Sequence, residues 1–363
     1  MRLRYARWEG DPLSNPEFLK ALMRLYHTLL LQANGDVDEA LRWLAYFGDQ
    51  YGFFNENFTI DDFRKLLEEE GAIEETAEGH RLTPRGERTI RQEALDEIFS
   101  ALRADLAGDH RGPGTSGSGE PLPETRPFQF GDRFQDLDTQ ASLRNALRRT
   151  SGGSTELREE DLEVHETERL SSCATVLMLD ISHSMILYGE DRITPAKRVA
   201  LALTELILTR YPKDDLDVVL FGDEAHEIPL SQIPYAEVGP YHTNTKAGLR
   251  LAQQILGRKK HANKQIFMIT DGKPSAIFDR GRLYKNPFGL DPKIVNKTLE
   301  EAAVCRRKRI PITTFMVTND PHLKNFIARF TEVNQGRAYY SDLDRLGSFL
   351  LVDFVKNRRR RWA

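Results

Sequence analysis

Thr175-Val176-Leu177-Met178-Leu179-Asp180 is an unbroken apolar run closed by a carboxylate. No amphipathic element has that pattern. It marks a strand buried on both faces, which forms where helices cover a parallel sheet from two sides. Apolar runs recur at 216–221, 265–270 and 310–317, and between them apolar residues fall at helical spacing over 195–210, 246–256 and 292–307. In the first of these helices Val199, Leu203, Leu206 and Ile207 make the stripe expected to face the sheet. The segment 224–230 fits an edge strand turning back, 326–330 a helix, 337–340 a last strand and 343–356 a closing helix. Strands alternating with helices specify the α/β class, a doubly wound, mostly parallel sheet with helices on both faces.

The first part of the chain is built differently. Over 16–106, Phe18, Leu22, Leu25, Tyr26, Leu29 and Leu30 recur at helical spacing, as do Ala40, Leu41, Leu44 and Phe47. Thr59 reads as an N-cap followed by Asp61 and Asp62 in the first turn, opening a helix with Phe63, Leu66 and Leu67 that ends near Gly71. Glu78-Gly79 marks a turn between two short strands, and Thr83-Pro84 then caps and starts another helix. Helices, a short hairpin and a Pro-started helix make a mainly α-helical, winged-helix-like module over 1–106. Residues 107–126 form a flexible linker, rich in Gly, Pro and Ser over 108–124. A connecting segment over 127–169 has a candidate strand at 128–132 and a candidate helix at 142–149. The α/β domain spans 170–357, and 358–363 is a basic tail. This division agrees with the two or three domains that 363 residues imply at about 100–200 residues each.

Composition excludes several classes. Lys and Arg number 51 against 55 Asp and Glu, a net charge of −4, which argues against nucleic-acid binding by bulk charge. Two cysteines, Cys173 and Cys305, exclude a disulfide scaffold and a zinc site of four thiolates. The opening residues have no apolar core of a signal peptide, and the longest apolar runs fall far short of the ~20 residues that cross a bilayer. The expectation is a cytoplasmic protein with no membrane partner.

In a doubly wound sheet, ligands bind beyond the carboxyl ends of the strands. Three segments lie there: Asp180-Ile181-Ser182-His183-Ser184 after the first strand, Tyr241-His242-Thr243-Asn244-Thr245 before a helix, and Thr270-Asp271-Gly272 after the third strand. They supply two carboxylates and several hydroxyls, all hard oxygen donors. Such a set suits Mg²⁺, with Mn²⁺ as the alternative, and disfavours zinc. An Asp-x-Ser-x-Ser alone is also a common strand-end turn capping the next helix. The two further segments in order are what favour a metal site.

At these residues the sequence resembles the metal-ion-dependent adhesion site (MIDAS) of von Willebrand factor type A (VWA) domains. Asp180-x-Ser182-x-Ser184 is followed by Thr243 at 63 and Asp271 at 91 positions beyond Asp180, and the resemblance covers about 170–357. It implies that Asp180, Ser182, Ser184, Thr243 and Asp271 hold the ion directly or through water, with Thr245 the alternative to Thr243. More narrowly, the chain is similar to bacterial intracellular VWA proteins related to CoxE and the magnesium-chelatase D subunit. The stretches that carry this likeness are Glu163-Val164-His165-Glu166-Thr167-Glu168, Pro195-Ala196-Lys197-Arg198-Val199-Ala200-Leu201, Asn263-Lys264-Gln265-Ile266, Leu350-Leu351-Val352-Asp353-Phe354 and Leu82-Thr83-Pro84-Arg85-Gly86. The likeness implies a partner AAA+ ATPase of the MoxR or chelatase type. Chelatase D subunits carry an AAA+-like module ahead of the VWA domain; 1–106 is too short for one, so porphyrin metallation is not implied.

Enzyme readings lack their residues. There is no Gly-x-x-x-x-Gly-Lys-Ser/Thr loop and no Gly-x-Ser-x-Gly elbow, and Ser182 stands where an Asp-x-Asp phosphotransferase needs its acid. No general base accompanies the oxygen donors; His183, inside the motif, is expected to face solvent, and His242 and His261 have no ligand spacing. The sequence therefore points to a non-enzymatic, Mg²⁺-dependent protein–protein interaction module. It would capture an Asp or Glu of an acidic client and act as adaptor to an AAA+ ATPase. The rival is a nucleic-acid-associated regulator using the winged-helix-like module and the basic tail. Against it, Glu68-Glu69-Glu70 at the end of the module's third helix would repel phosphates.

Overall fold

The computed structural model describes residues 16–106, 125–128, 137–149, 157–165, 172–189, 191–271, 273–317 and 320–340. The expected linker at 107–126 lies outside these up to 124, its last two residues belonging instead to a short strand, Thr125–Pro127; the closing helix at 343–356 and the basic tail also lie outside. The described residues of 16–106 and 172–340 belong to one compact unit, and those between 125 and 165 to a second.

In the first unit the chain begins with α1 (Pro16–Gln32), α2 (Val37–Tyr51) and α3 (Ile60–Glu69), then the antiparallel hairpin β1 (Ile73–Thr76) and β2 (Gly79–Leu82), then α4 (Pro84–Leu106). Local chemistry sets the boundaries. Thr59 and Asp62 form a reciprocal capping box at the start of α3, and Phe63 and Leu67 are the residues α3 buries. Thr83 accepts from the Gly86 amide at 3.1 Å, and Pro84 opens α4. Gly86 packs so closely on the Ala72 carbonyl that a Cβ there would stand 2.1 Å from its oxygen.

The α/β part follows as β5 (Cys173–Asp180), α6 (Ile193–Arg210), β6 (Asp215–Phe221), β7 (Ala225–Ile228), α7 (Thr245–Arg258) and β8 (Asn263–Thr270). The second unit precedes it in the chain and contributes β3 (Thr125–Pro127), α5 (Thr139–Arg149) and β4 (Glu163–His165) to the numbering. The chain continues through β9 (Ala276–Asp279), β10 (Arg282–Lys285), α8 (Pro292–Arg307), β11 (Ile312–Met316), α9 (Pro321–Asn334) and β12 (Arg337–Tyr340). The sheet order is β12-β11-β8-β5-β6-β7, parallel except for β7, which returns along β6 as an antiparallel edge. Every residue of β5 is buried. Alternate residues go to opposite faces: Leu177, Leu179, Phe267 and Phe315 pack with α6 and the N-terminal helices. Val176, Met178, Phe221 and Met268 pack with α7, α8 and α9. Each such side chain, fully buried, contributes about 1.5–3 kcal/mol.

The structure extends the sequence reading at three places. α6 buries its expected stripe, Val199, Leu203, Leu206 and Ile207, and most of its remaining surface from Ile193 to Ile207 as well, Lys197 and Glu205 included, because α1 and α4 cover the side turned away from the sheet. The polar residues of that outer side face the module: Arg91 of α4 meets Glu205 at 3.3 Å, and Arg198 meets Glu97 at 3.4 Å and bonds Thr28. The helix expected at 326–330 is the middle of the longer α9. The hairpin β9–β10, absent from the sequence reading, turns at Arg280 and Gly281, both at positive φ.

In the second unit β3 and β4 pair antiparallel, and Arg149 of α5 grips buried Asp161, with Nη2–Oδ2 at 2.8 Å. The strand lies at Thr125–Pro127 rather than at 128–132. Phe128 extends the pairing by donating its amide to Leu162 at 2.9 Å, and 129–136 fall outside the described residues.

Candidate metal centre

Strand register brings the predicted residues to one place. Leu179 stands opposite Ile269, so Asp180 ends β5 beside Thr270, whose hydroxyl donates to Asp180 Oδ2 at 2.6 Å. The Ser182 amide donates to Asp180 Oδ1 at 2.9 Å, which folds the chain over the strand end into a 3-10 turn, His183–Gly189. Asn244 caps α7 by accepting from the Ala247 amide at 3.0 Å, and this places Thr243 just ahead of the helix. The Thr243 hydroxyl donates to Ser182 Oγ at 2.9 Å, while Thr245 is already the first residue of α7. Ser182 and Ser184 hydroxyl oxygens are 3.0 Å apart. Ser182 also bonds Asp180, and Ser184 bonds Asp271. All five predicted residues thus belong to one connected cluster. Asp180, Ser182, Thr243 and Asp271 are buried.

The cluster is rich in acceptor oxygens: two buried carboxylates and the hydroxyls of Ser182, Ser184 and Thr243, two of whose protons are taken up between the hydroxyls themselves. Burial, and then the charge of Asp271, push the Asp180 carboxyl up to about 7. Burial raises Asp271 as well, against the hydrogen bond from Ser184. Among the described residues the nearest cation is the Arg192 guanidinium, 4.0 Å from Asp271 Oδ2. A buried pair of carboxylates without a cation in contact is costly. The donor set, all oxygen and rich in acceptors, fits a hard divalent ion.

Residues outside the sequence reading complete the site. Ser275 accepts from the Thr243 amide at 3.0 Å and fixes that loop. Arg192, from the segment entering α6, reaches the Ser184 carbonyl at 3.4 Å as well as Asp271. The Asp191-Arg192 pair ahead of the helix was the only sequence signal for it. A cavity of about 260 Å³ opens over the cluster, lined by Ser182, Ser184 and Thr243 together with His183, Tyr241 and Lys273. His183 is exposed, as expected; Tyr241 is an exposed side chain of the lining, and Ile186, two residues beyond Ser184, is exposed as well. Phe288, at 86% exposure, follows Pro287, which lines the cavity wall. His242 and His261 join no metal cluster: they pair with Asp223 and Asp215 respectively.

The chain is similar to known proteins over most of its length. A family model described as the vWA domain of Rv0959-like proteins matches residues 173–355, and one described as their third domain matches 120–167. The uncharacterized proteins Rv0959 of Mycobacterium tuberculosis (strain ATCC 25618 / H37Rv) and Mb0984 of Mycobacterium bovis are each 31% identical to the chain over 312 residues. The alignment covers 83% of this chain and 46% of either relative, so the chain spans less than half their length. Among solved structures, the vWF domain of the type V pili tip protein Mfa5 from Porphyromonas gingivalis gives a TM-score of 0.43 at 13% identity, over 53% of this chain and 97% of that one. The PilB minor pilin from Streptococcus sanguinis gives 0.42 at 15%, over 55% and 65%. No helix among the described residues is long and apolar enough to cross a membrane.

Proposed function

The chain belongs to the Rv0959-like family and carries that family's vWA domain at 173–355; from that premise we propose that it is a Mg²⁺-dependent protein-interaction module that captures an acidic residue of a partner. Asp180, Ser182, Ser184, Thr243 and Asp271 would hold the ion, directly or through water, and Mn²⁺ is the alternative occupant. Such an ion supplies an open coordination position for a carboxylate from another protein. The chain's own residues do the rest. The two buried carboxylates balance the charge of the ion, Ser182 and Ser184 sit on the turn beneath the opening, and exposed Tyr241 offers apolar surface beside it, with Ile186 and Phe288 exposed on the segments of Ser184 and Pro287 that line it. The two buried carboxylates, gathered with three hydroxyls at the strand ends and with no cation nearer than 4.0 Å among the described residues, are the observation that carries this reading. Binding rather than catalysis is the role proposed for the cavity, which is lined by hydroxyl side chains together with His183, Tyr241, His242 and Lys273. The likeness to CoxE-related and chelatase-D proteins makes an AAA+ ATPase the proposed partner and adaptor action in client remodelling the proposed role.

The test is a magnesium titration by calorimetry, followed by a pull-down from lysate in Mg²⁺ and in chelator, each with the wild type and with Asp180→Asn. The wild type should bind one ion, and an AAA+ ATPase should be retained only by the wild type and only with Mg²⁺. Equal retention by the mutant, or in chelator, would remove the metal from the mechanism.

A further inference from the structure

The α1–α2 turn lies against two segments that lead into the candidate centre. Lys197 of α6 is fully buried, and its ammonium donates to the Leu31 carbonyl at 3.0 Å, to Asn34 Oδ1 at 2.8 Å and to the Pro234 carbonyl at 3.2 Å. Leu31 lies in the last turn of α1, where carbonyls lack helical partners and the helix dipole favours a positive charge. One ammonium therefore ends α1, holds the α1–α2 turn and fixes the loop between β7 and α7. Gly35 meets that loop again. Its φ is +84°, and a Cβ on it would stand 2.4 Å from the Tyr235 ring.

Both arms of this contact reach the cluster. On one side Gln32 donates to Asp191 at 3.3 Å, and Asp191 caps α6 through the Thr194 amide at 3.0 Å. The next residue, Arg192, donates its amide to Met185 at 3.0 Å and its guanidinium to Ser184. On the other side the loop that starts from Pro234 and Tyr235 donates the Gly239 amide to Ile181 at 3.2 Å and accepts from the His183 amide at Tyr241, 3.0 Å. Thr243 follows two residues later. The turn bearing Ser182 and Ser184 is thus held between two segments, and the α1–α2 turn is fastened to each of them.

We propose that the N-terminal helical module braces the metal centre: the α1–α2 turn, gripped by Lys197, keeps the segments carrying Ser184 and Thr243 in register, and Lys197 is the positioning residue of that brace. The metal part of this proposal rests on the reading given above, while the mechanical part does not.

Lys197→Met keeps the buried stem and removes the donor; Asn34→Gly removes one acceptor at a residue whose φ of +52° suits glycine. In hydrogen exchange read by mass spectrometry without metal, both substitutions should speed exchange of peptides covering 181–186 and 239–245. For Lys197→Met the factor should be about tenfold, within the range typical of coupled sites, with β5 and β8 unchanged. Unchanged exchange in those peptides, or uniform acceleration across the chain, overturns the brace. In the same proteins the dissociation constant for Mg²⁺ alone should rise about fivefold. If the wild type binds no Mg²⁺, the functional reading fails and the exchange pattern still decides the brace. If Lys197→Met does not fold, Asn34→Gly carries both measurements.

Discussion

Around Lys197 one buried ammonium meets three neutral oxygens, at 2.8, 3.0 and 3.2 Å. Around Asp180 and Asp271 two buried carboxylates lie among the hydroxyls of Ser182, Ser184, Thr243 and Thr270. Both are charged groups taken out of water, yet the first set is complete within the chain and the second is not. An ammonium has three protons to give, and the end of α1, Asn34 and Pro234 take all three. The carboxylate pair lacks a counter-charge in contact, with Arg192 standing off at 4.0 Å. A closed polar cluster holds structure together. On the proposed reading an open one, at the end of parallel strands and under a cavity, receives an ion from outside.

The largest effect should come from opening the closed cluster. Lys197→Ala leaves a void in a fully buried position and orphans three acceptors, and should cost about 3 kcal/mol in urea unfolding. Lys197→Met, which fills most of the void, should cost about 1 kcal/mol. No loss in Lys197→Met relative to the wild type would mean that the ammonium holds nothing and would erase the contrast.

The second effect sharpens the open cluster. With Mg²⁺ at a hundred times its dissociation constant, the wild type should gain about 2.7 kcal/mol of stability, read as a rise in melting temperature, and Asp180→Asn should gain none. In chelator the mutant should be at least as stable as the wild type, because it loses a like-charge repulsion while Asn keeps an acceptor for the Ser182 amide. A marked loss of stability in chelator would make Asp180 a structural acid, completed from within like Lys197.

How far the sequence foretold these two clusters differs in the same way. The three segments holding Asp180, Thr243 and Asp271 were legible because a parallel sheet collects its strand ends at one edge, and the resemblance to VWA domains singled out Asp180, Ser182, Ser184, Thr243 and Asp271 within them. Lys197 was read only as part of a helix. Its meaning depends on which helix covers the outer side of α6, and no local spacing encodes that. A signal did exist: from Val199 to Leu208 only Thr204 and Glu205 interrupt the apolar residues, the pattern of a helix buried all round rather than on one stripe. The hairpin β9–β10 escaped for a different reason. Its turn has Arg280 at φ +48° and Gly281 at φ +79°, and an Arg in the position usually held by Asn or Asp hides the two-residue turn signal. The capping box at Thr59 and the Pro start at Pro84 were legible because they are local chemistry.

The smallest effect distinguishes a closed cluster that tolerates its charge from one that merely pairs it. Burial lowers the Lys197 ammonium from its ordinary value to about 8, against the attraction of Asp191 and Glu237. The unfolded chain, with a lysine near its usual value, then binds more protons than the folded one between about pH 8 and 10.5, so folding stability should rise with pH across that window. Below pH 8 both states are protonated and the cost of the buried charge is constant. The stability difference between wild type and Lys197→Met, followed in urea, should therefore grow in favour of the wild type by about 1 kcal/mol from pH 8 to 9. A flat difference would mean that the three oxygens replace water fully. A difference that falls with pH would mean that they hold the charge more tightly than water does, because deprotonation removes one of three donated bonds, and the brace would then be weakest at alkaline pH.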